Sequence, residues 1–212
     1  MPKGSVTTRL SPSEPRVRRG YFESRFGQLH VHNAIAPGGG FEEGTALLCL
    51  HSAGQTGRVF QKFLPLLGRD RSVYAPDIPG SGESDGPASR VSLAETALGL
   101  GDFLDSMRFR QIDVLGYQNG SLLAAELAIA RPQQVRRVVL VGIPATPEAE
   151  RLRQIGQPVL VVRAKDELWD TTARAREYLP RARSLELPQV GAGLFDTAAD
   201  AVAAPLKDFL GH

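Results

Sequence analysis

The sequence contains one cysteine in 212 residues. A lone thiol, Cys49, excludes an internal disulfide framework and any cysteine-rich zinc site. No stretch approaches the roughly 20 apolar residues that a membrane span requires, and no apolar run near the N-terminus marks a signal peptide, so no membrane partner is expected. Charge of one sign is lacking too. The chain carries 25 Lys and Arg against 23 Asp and Glu, a formal net charge of +2, and no basic stripe of the kind nucleic acid requires runs over it. No His, Cys, Asp or Glu group stands at local metal-ligand spacing, and no glycine loop matches a phosphate or dinucleotide cradle. The expectation is therefore no metal, no cofactor and no nucleic acid.

What is present is an ordinary globular composition, 42% apolar and 23% charged, with 22 Gly and 15 Pro marking many turns. A chain of this size buries roughly 70% of its unfolded surface and needs no cross-link to hold a core. Residues 1–19 read as a flexible basic arm. Through residue 20 the segment holds Lys3, Arg9, Arg16, Arg18 and Arg19 against Glu14, with Ser, Thr and Pro between them and no apolar period. An import signal is the alternative, weakened by the missing amphipathic pattern. Residues 20–212 are expected to form a single domain, soluble and cytoplasmic, with oligomeric state left open, a homodimer included.

Two β-prone runs, Tyr21–Arg25 and Leu29–Ala34, are broken at Gly27-Gln28 and read as a hairpin, which the Gly38-Gly39-Gly40 stretch ends. Ala46–Leu50, Ser72–Ala75, Ile112–Leu115, Val135–Val141 and Pro158–Val162 are short continuous apolar runs, the mark of strands buried on both faces. Helices are expected between them: one with Val59, Phe60, Phe63, Leu64 and Leu67 on its apolar side, one capped by Ser92 with Glu95 completing a capping box, one over Ser121–Ala130, and a last one over Ala199–Leu210 after a strand at Leu185–Leu187. Alternation of strand and helix predicts a mostly parallel twisted sheet covered by helices on both faces, with the N-terminal hairpin antiparallel. Right-handed crossovers put all the parallel strands' C-terminal ends on one edge, where ligands bind.

The residues at those ends form a series. His51-Ser52-Ala53-Gly54 follows the first buried strand, Asp77-Ile78-Pro79-Gly80-Ser81-Gly82-Glu83-Ser84 the second, and Gly116-Tyr117-Gln118-Asn119-Gly120 the third. Together they resemble the α/β-hydrolase family, with its H-G-x-G-like oxyanion loop, its D-x-P-G-x-G-x-S segment and its G-x-S-x-G nucleophile elbow. The resemblance extends to Asp166 after the Pro158–Val162 run and covers roughly residues 20–211. It implies an α/β-hydrolase fold, an oxyanion hole from the backbone N–H groups of Ala53 and Asn119, and an acid at Asp166.

Three departures accompany it. The elbow apex, a Ser in the family, is Gln118. The position of the family's histidine, in a G-H-G-like stretch, is Ala192 within Gly191-Ala192-Gly193. Only the residues 142–157, turn-like through Pro144, Thr146 and Pro147, stand where many relatives insert a cap, so no cap domain is expected. His51 falls where the family uses it for packing and hydrogen bonding. Ser52, in a place usually held by Gly, is a binding candidate of the oxyanion loop with a chemical role as the alternative; Ser121 is expected to cap or pack, a displaced nucleophile being the alternative; Tyr117 is a candidate pocket wall, and Asp77, Ser81 and Ser84 are expected to fix their loop. Trp169 reads equally as pocket wall or surface anchor. The expected function is a pseudoenzyme of this family that binds a small molecule beside the elbow without hydrolysing it. The alternative is an enzyme with altered machinery, a weak esterase or a lyase or isomerase using Asp166 and the oxyanion hole.

Overall fold

The computed structural model describes residues 15–36 and 44–211. The glycine run at 38–40, His212 and most of the expected arm lie outside the described residues; strand β1 takes in Val17, Arg18 and Arg19.

Among the described residues eight strands form one sheet: β1 (Val17–Ser24), β2 (Gly27–Ala34), β3 (Gly44–Leu50), β4 (Arg71–Pro76), β5 (Ile112–Tyr117), β6 (Val135–Val141), β7 (Val159–Ala164) and β8 (Arg183–Leu187), in the spatial order β1-β2-β4-β3-β5-β6-β7-β8. The β1–β2 and β2–β4 pairs are antiparallel and every other pair is parallel. The hairpin turn falls at Arg25-Phe26, earlier than the Gly27-Gln28 break suggests. The Ser24 hydroxyl organises it, donating to Gly27 O at 3.0 Å and accepting from Phe26 N–H at 3.3 Å, so Gly27 already belongs to β2.

Among the described residues six α-helices flank the sheet: α1 (Leu64–Leu67), α2 (Leu93–Ser106), α3 (Asn119–Ala130), α4 (Trp169–Arg174), α5 (Leu194–Thr197) and α6 (Ala199–Leu210). One core packs α2 and α3, through Leu100, Phe103, Leu123 and Leu127, on the face bearing Leu29, Leu48 and Val114. The other packs α1, α5 and α6, through Leu64, Phe195, Val202 and Leu206, on the face bearing Leu47, Cys49 and Leu115. This division explains why the central strands read as unbroken apolar runs, because both faces are covered. The Ser92–Glu95 capping box forms as expected. No helix among the described residues is long and apolar enough to cross a membrane.

The helix expected over Val59–Leu67 is broken into a 3-10 turn at Gly57–Phe60 and the short α1. Pro65 is the reason. Inside a continuous helix it would lack its N–H and clash with the preceding turn, whereas in the first turn of α1 it fits. Phe60, Phe63, Leu64 and Leu67 are nonetheless all buried. The segment 142–157 also departs from expectation. It holds a 3-10 helix, Pro147–Gln154, whose Ala149 and Leu152 are buried. At i, i+3 spacing those side chains share one face of a 3-10 helix. There is no cap domain among the described residues.

At the N-terminal ends of β4, β5 and β6 a charge cluster is buried. Asp113 accepts from Arg136 at 3.0 and 2.6 Å and lies 3.8 Å from the buried Arg71, which also donates to Gly211 O at 2.6 Å. Burial pushes the Asp113 carboxyl up, against the pull of its arginines. Removing one partner strands the others' charge, a loss of about 3–5 kcal/mol. Asp113→Ala is therefore expected to lower the unfolding free energy by that amount, read as a reduced urea midpoint at an unchanged m-value.

Candidate functional site

The site starts from a backbone constraint. Gln118, between β5 and α3, has φ 52° and ψ −115°, a region that costs a non-glycine residue about 1–3 kcal/mol. Its N–H donates to Val141 O at 2.7 Å and its carbonyl accepts from Ser121 N–H at 2.9 Å. Close approach of strand, turn and helix enforces the bend. A Cβ on Gly116 would sit 2.2 Å from Gly120 O, and one on Gly120 would sit 2.2 Å from Leu50 O. This is the elbow geometry that the Gly116 and Gly120 spacing predicted, with a carboxamide at its apex. The half-buried Gln118 side chain donates from Nε2 to Glu167 Oε1 at 3.0 Å. Ser121 is fully buried and its hydroxyl donates to Gly116 O at 2.9 Å, so it braces the elbow and does not face a pocket.

The loop after β7 brings Asp166 to the same edge. Its Oδ1 accepts from Leu168 N–H at 2.9 Å. Burial, joined by the neighbouring Glu167 charge and opposed by the Leu168 N–H and the Gln118 amide, holds this carboxyl above the usual range. Lys165 N–H donates to Val190 O at 2.6 Å, which lays the loop after β8 beside it, with Ala192 exposed. Tyr117 is buried against Phe195, ring centroids 5.2 Å apart. Burial and the charges of Asp166 and Glu167 push its phenol up, while the Gly193 N–H opposes them. The structure thus gathers Gln118, Asp166, Tyr117 and the Ala192 loop.

No described histidine joins that group. His51 is committed elsewhere: its Nε2 accepts from Ile78 N–H at 2.9 Å, so Nδ1 carries the proton and donates to Ser52 O at 2.8 Å. Burial lowers its pKa. The ring pins two loops together and has no lone pair left for a base. Ser52 Oγ donates to Asn119 Oδ1 at 3.1 Å, which sets the exposed Ala53 and the first residue of α3 on adjoining segments. The first N–H groups of a helix have no intrahelical acceptor, so Asn119 suits an oxyanion donor. Cys49 is fully buried, and burial raises its thiol pKa far beyond reactivity. Trp169, half-buried at the start of α4, has the Arg163 guanidinium 4.0 Å from its ring centroid.

At the first turn of α3, beside the elbow, a cavity of about 530 Å³ is lined by Ser92, Leu93, Asn119, Leu122, Thr146 and Arg151 among others; Gln118, Asp166 and Tyr117, expected as a pocket wall, are not among its walls. Arg151 belongs to the 3-10 helix after β6 and pairs with Glu126 of α3, Nη2 to Oε2 at 2.8 Å, which fixes that wall.

A second cluster escaped local spacing. His30 and His32 on β2 meet Asp77 after β4, and the three can present ligand atoms within 4.8 Å of one another. The absence of a cluster expected from spacing alone is thereby corrected, because Asp77 stands 47 positions from His30 in sequence. The legible part was the i, i+2 histidine pair, which a strand places on one face. Asp77 also does what was expected of it, accepting from Gly57 N–H at 2.7 Å and Glu83 N–H at 3.0 Å. Ser84 and Ser81 bind the same loop through Asp77 O and Ile78 O.

A model of the alpha/beta hydrolase fold matches residues 45–174, more than half of the chain. The chain belongs to the alpha/beta hydrolase fold family. It is 34% identical over 106 residues to a 2-hydroxymuconate semialdehyde hydrolase of Pseudomonas sp. (strain CF600), covering 47% of this chain and 36% of that protein. It is 35% identical over 98 residues to the magnesium-chelatase 30 kDa subunit of Rhodobacter capsulatus, covering 46% and 34%. An uncharacterised Mycobacterium tuberculosis protein is 32% identical over 99 residues, 47% of this chain and 29% of the other. The chain thus spans about a third of the length of the curated relatives it matches. Among solved structures, the carboxylesterase CesB of Bacillus subtilis superposes with a TM-score of 0.78 at 16% identity, over 92% of each chain. The thioesterase domain of the curacin biosynthetic pathway gives 0.75 at 15%, over 90% of this chain and 99% of that one. These two likenesses concern the fold alone.

Two outcomes follow for this alpha/beta hydrolase fold member. Gly120→Ala drives a methyl into Leu50 O and is expected to destabilise by about 1–3 kcal/mol, read from chemical unfolding. Asp166 has a folded pKa above its unfolded one, so its ionisation opposes folding: stability is greatest below the unfolded pKa and falls as pH rises through the folded one. Asp166→Asn should therefore raise the thermal midpoint relative to the parent at pH 7, and that gain should vanish below about pH 4.

Proposed function

We propose that this chain is a non-hydrolytic member of its family that binds a small molecule in the cavity beside the elbow. The observation that carries the reading is the apex itself, where Gln118 spends its amide nitrogen on Glu167. A carboxamide nitrogen is delocalised into its carbonyl and forms no attacking anion near neutral pH. Ala192 supplies no imidazole to take a proton, and His51 has its lone pair occupied by Ile78 N–H. Asp166 then has no ring to orient. Loss of one triad member removes on the order of 10⁴–10⁶ in rate, and further losses add little. The Ala53 and Asn119 N–H groups still suit a ligand carbonyl or carboxylate oxygen. A relative whose name is that of a magnesium-chelatase subunit, beside others named hydrolases, supports a family in which the scaffold serves more than hydrolysis.

A second reading rests on Asp166, whose raised pKa suits a general acid or base for a lyase or isomerase step without a covalent intermediate.

Turnover of p-nitrophenyl acetate tests both. The parent chain is expected to stay within about 10³–10⁴ of the uncatalysed rate and to show no saturation. Gln118→Ser alone should gain nothing, because triad groups act as a unit, whereas Gln118→Ser with Ala192→His should gain on the order of 100-fold. Saturable parent turnover lost on substituting one serine sinks the binding reading; saturable turnover lost in Asp166→Asn favours the second.

A further inference from the structure

We propose that His30, His32 and Asp77 form a site for one divalent transition-metal ion of the zinc class, on the floor of a second cavity apart from the elbow. This stands independently of what Gln118 does.

The backbone builds the site. His30 and His32 alternate with the core residues Leu29 and Val31, so both rings leave the same face of β2. The antiparallel β2–β4 register pairs Val31 with Pro76, and the next rung, Asp77 N–H to His30 O at 2.9 Å, delivers the carboxylate beside them. All three are at least nine-tenths buried. His30 Nδ1 lies 2.9 Å from Asp77 Oδ2 and His32 Nε2 lies 4.0 Å from Asp77 Oδ1. Two ligands of a tetrahedral zinc ion, bound at about 2.0–2.1 Å, stand roughly 3.3 Å apart, between those two separations. The three ligand atoms lie within 4.8 Å of one another, so the ion draws the widest pair in by up to roughly 1.5 Å, and it displaces the proton that His30 and Asp77 share, which leaves to solvent.

Support around the ligands is already in place. Each carboxylate oxygen accepts one backbone N–H, from Gly57 and Glu83 respectively, and a carboxylate oxygen keeps a further lone pair for an ion. Such outer hydrogen bonds orient metal ligands. Gly57 is itself wedged, since a Cβ there would lie 2.2 Å from Ala75 O. The loop-fixing role of Asp77 accounts for these N–H bonds and for His30. It does not account for His32, whose nitrogen stands beyond hydrogen-bond reach of the carboxylate.

Two imidazoles and one carboxylate select zinc, cobalt or nickel over calcium or magnesium, which prefer oxygen ligands. Three protein ligands leave a fourth position open, toward a cavity of about 560 Å³ with Arg19, Arg58 and Glu83 at its walls. Water or an anionic group of a small ligand completes the sphere there.

Titration calorimetry of the full chain with zinc chloride, and the visible spectrum of its cobalt complex, test the site. One ion per chain is expected, unaffected by excess magnesium, with the d–d absorption of four-coordinate cobalt. His32→Ala and His32→Gln should each weaken binding on the order of 100-fold. No stoichiometric binding, equal binding in both His32 variants and the parent, or a cobalt spectrum of the six-coordinate aquo ion would overturn the proposal. The spectrum is read on the parent chain, so the outcome does not depend on any variant folding.

Discussion

Everything at the ligand-facing edge depends on one contact made without side chains: the start of α3 lies against the ends of β3 and β5, closer than any Cβ permits. Gly116 and Gly120 make that approach available, and the strained Gln118 backbone between them is held by Val141 O and Ser121 N–H. The bend aims the residue at position 118 outward whatever its chemistry. The fold therefore preserves the geometry of a nucleophile elbow independently of whether a nucleophile stands there.

A buried charge cluster occupies the other edge. Asp113, Arg71 and Arg136, with the carbonyls of Leu210 and Gly211, tie the strand starts to the end of α6. The parallel strands are thus clamped at their N-terminal ends, while at their C-terminal ends Gln118 and Asn119 of the elbow meet the neighbouring loops through one side-chain hydrogen bond each, to Glu167 and from Ser52. That division lets residues at the site change with little effect on the core, since neither Gln118 nor Ala192 carries packing that holds the sheet.

The strands and the long helices were legible because burial on both faces writes continuous apolar runs, and because capping chemistry such as Ser92 with Glu95 is local. Terminal helix α6 and strand β6 fall where their patterns put them. The elbow was legible for a similar reason, a glycine spacing confined to five residues. What stayed hidden is what the chain assembles from afar. A periodicity count across Val59–Leu67 does not register that Pro65 restarts the helix. Nor does any local pattern show Arg71 reaching Asp113, or Asp77 arriving beside His30 and His32 through a strand register. The 3-10 helix over Pro147–Gln154 was hidden by the prolines that precede and open it, although Ala149 and Leu152 carried its spacing.

On the proposed non-hydrolytic reading, no atom at the elbow of this alpha/beta hydrolase fold member attacks an electrophile. Intact-protein mass spectrometry after prolonged exposure to a fluorophosphonate reads this directly. A chain of unchanged mass is expected; a stoichiometric phosphonyl adduct mapping to the peptide that spans residues 116–122 would overturn the non-hydrolytic reading.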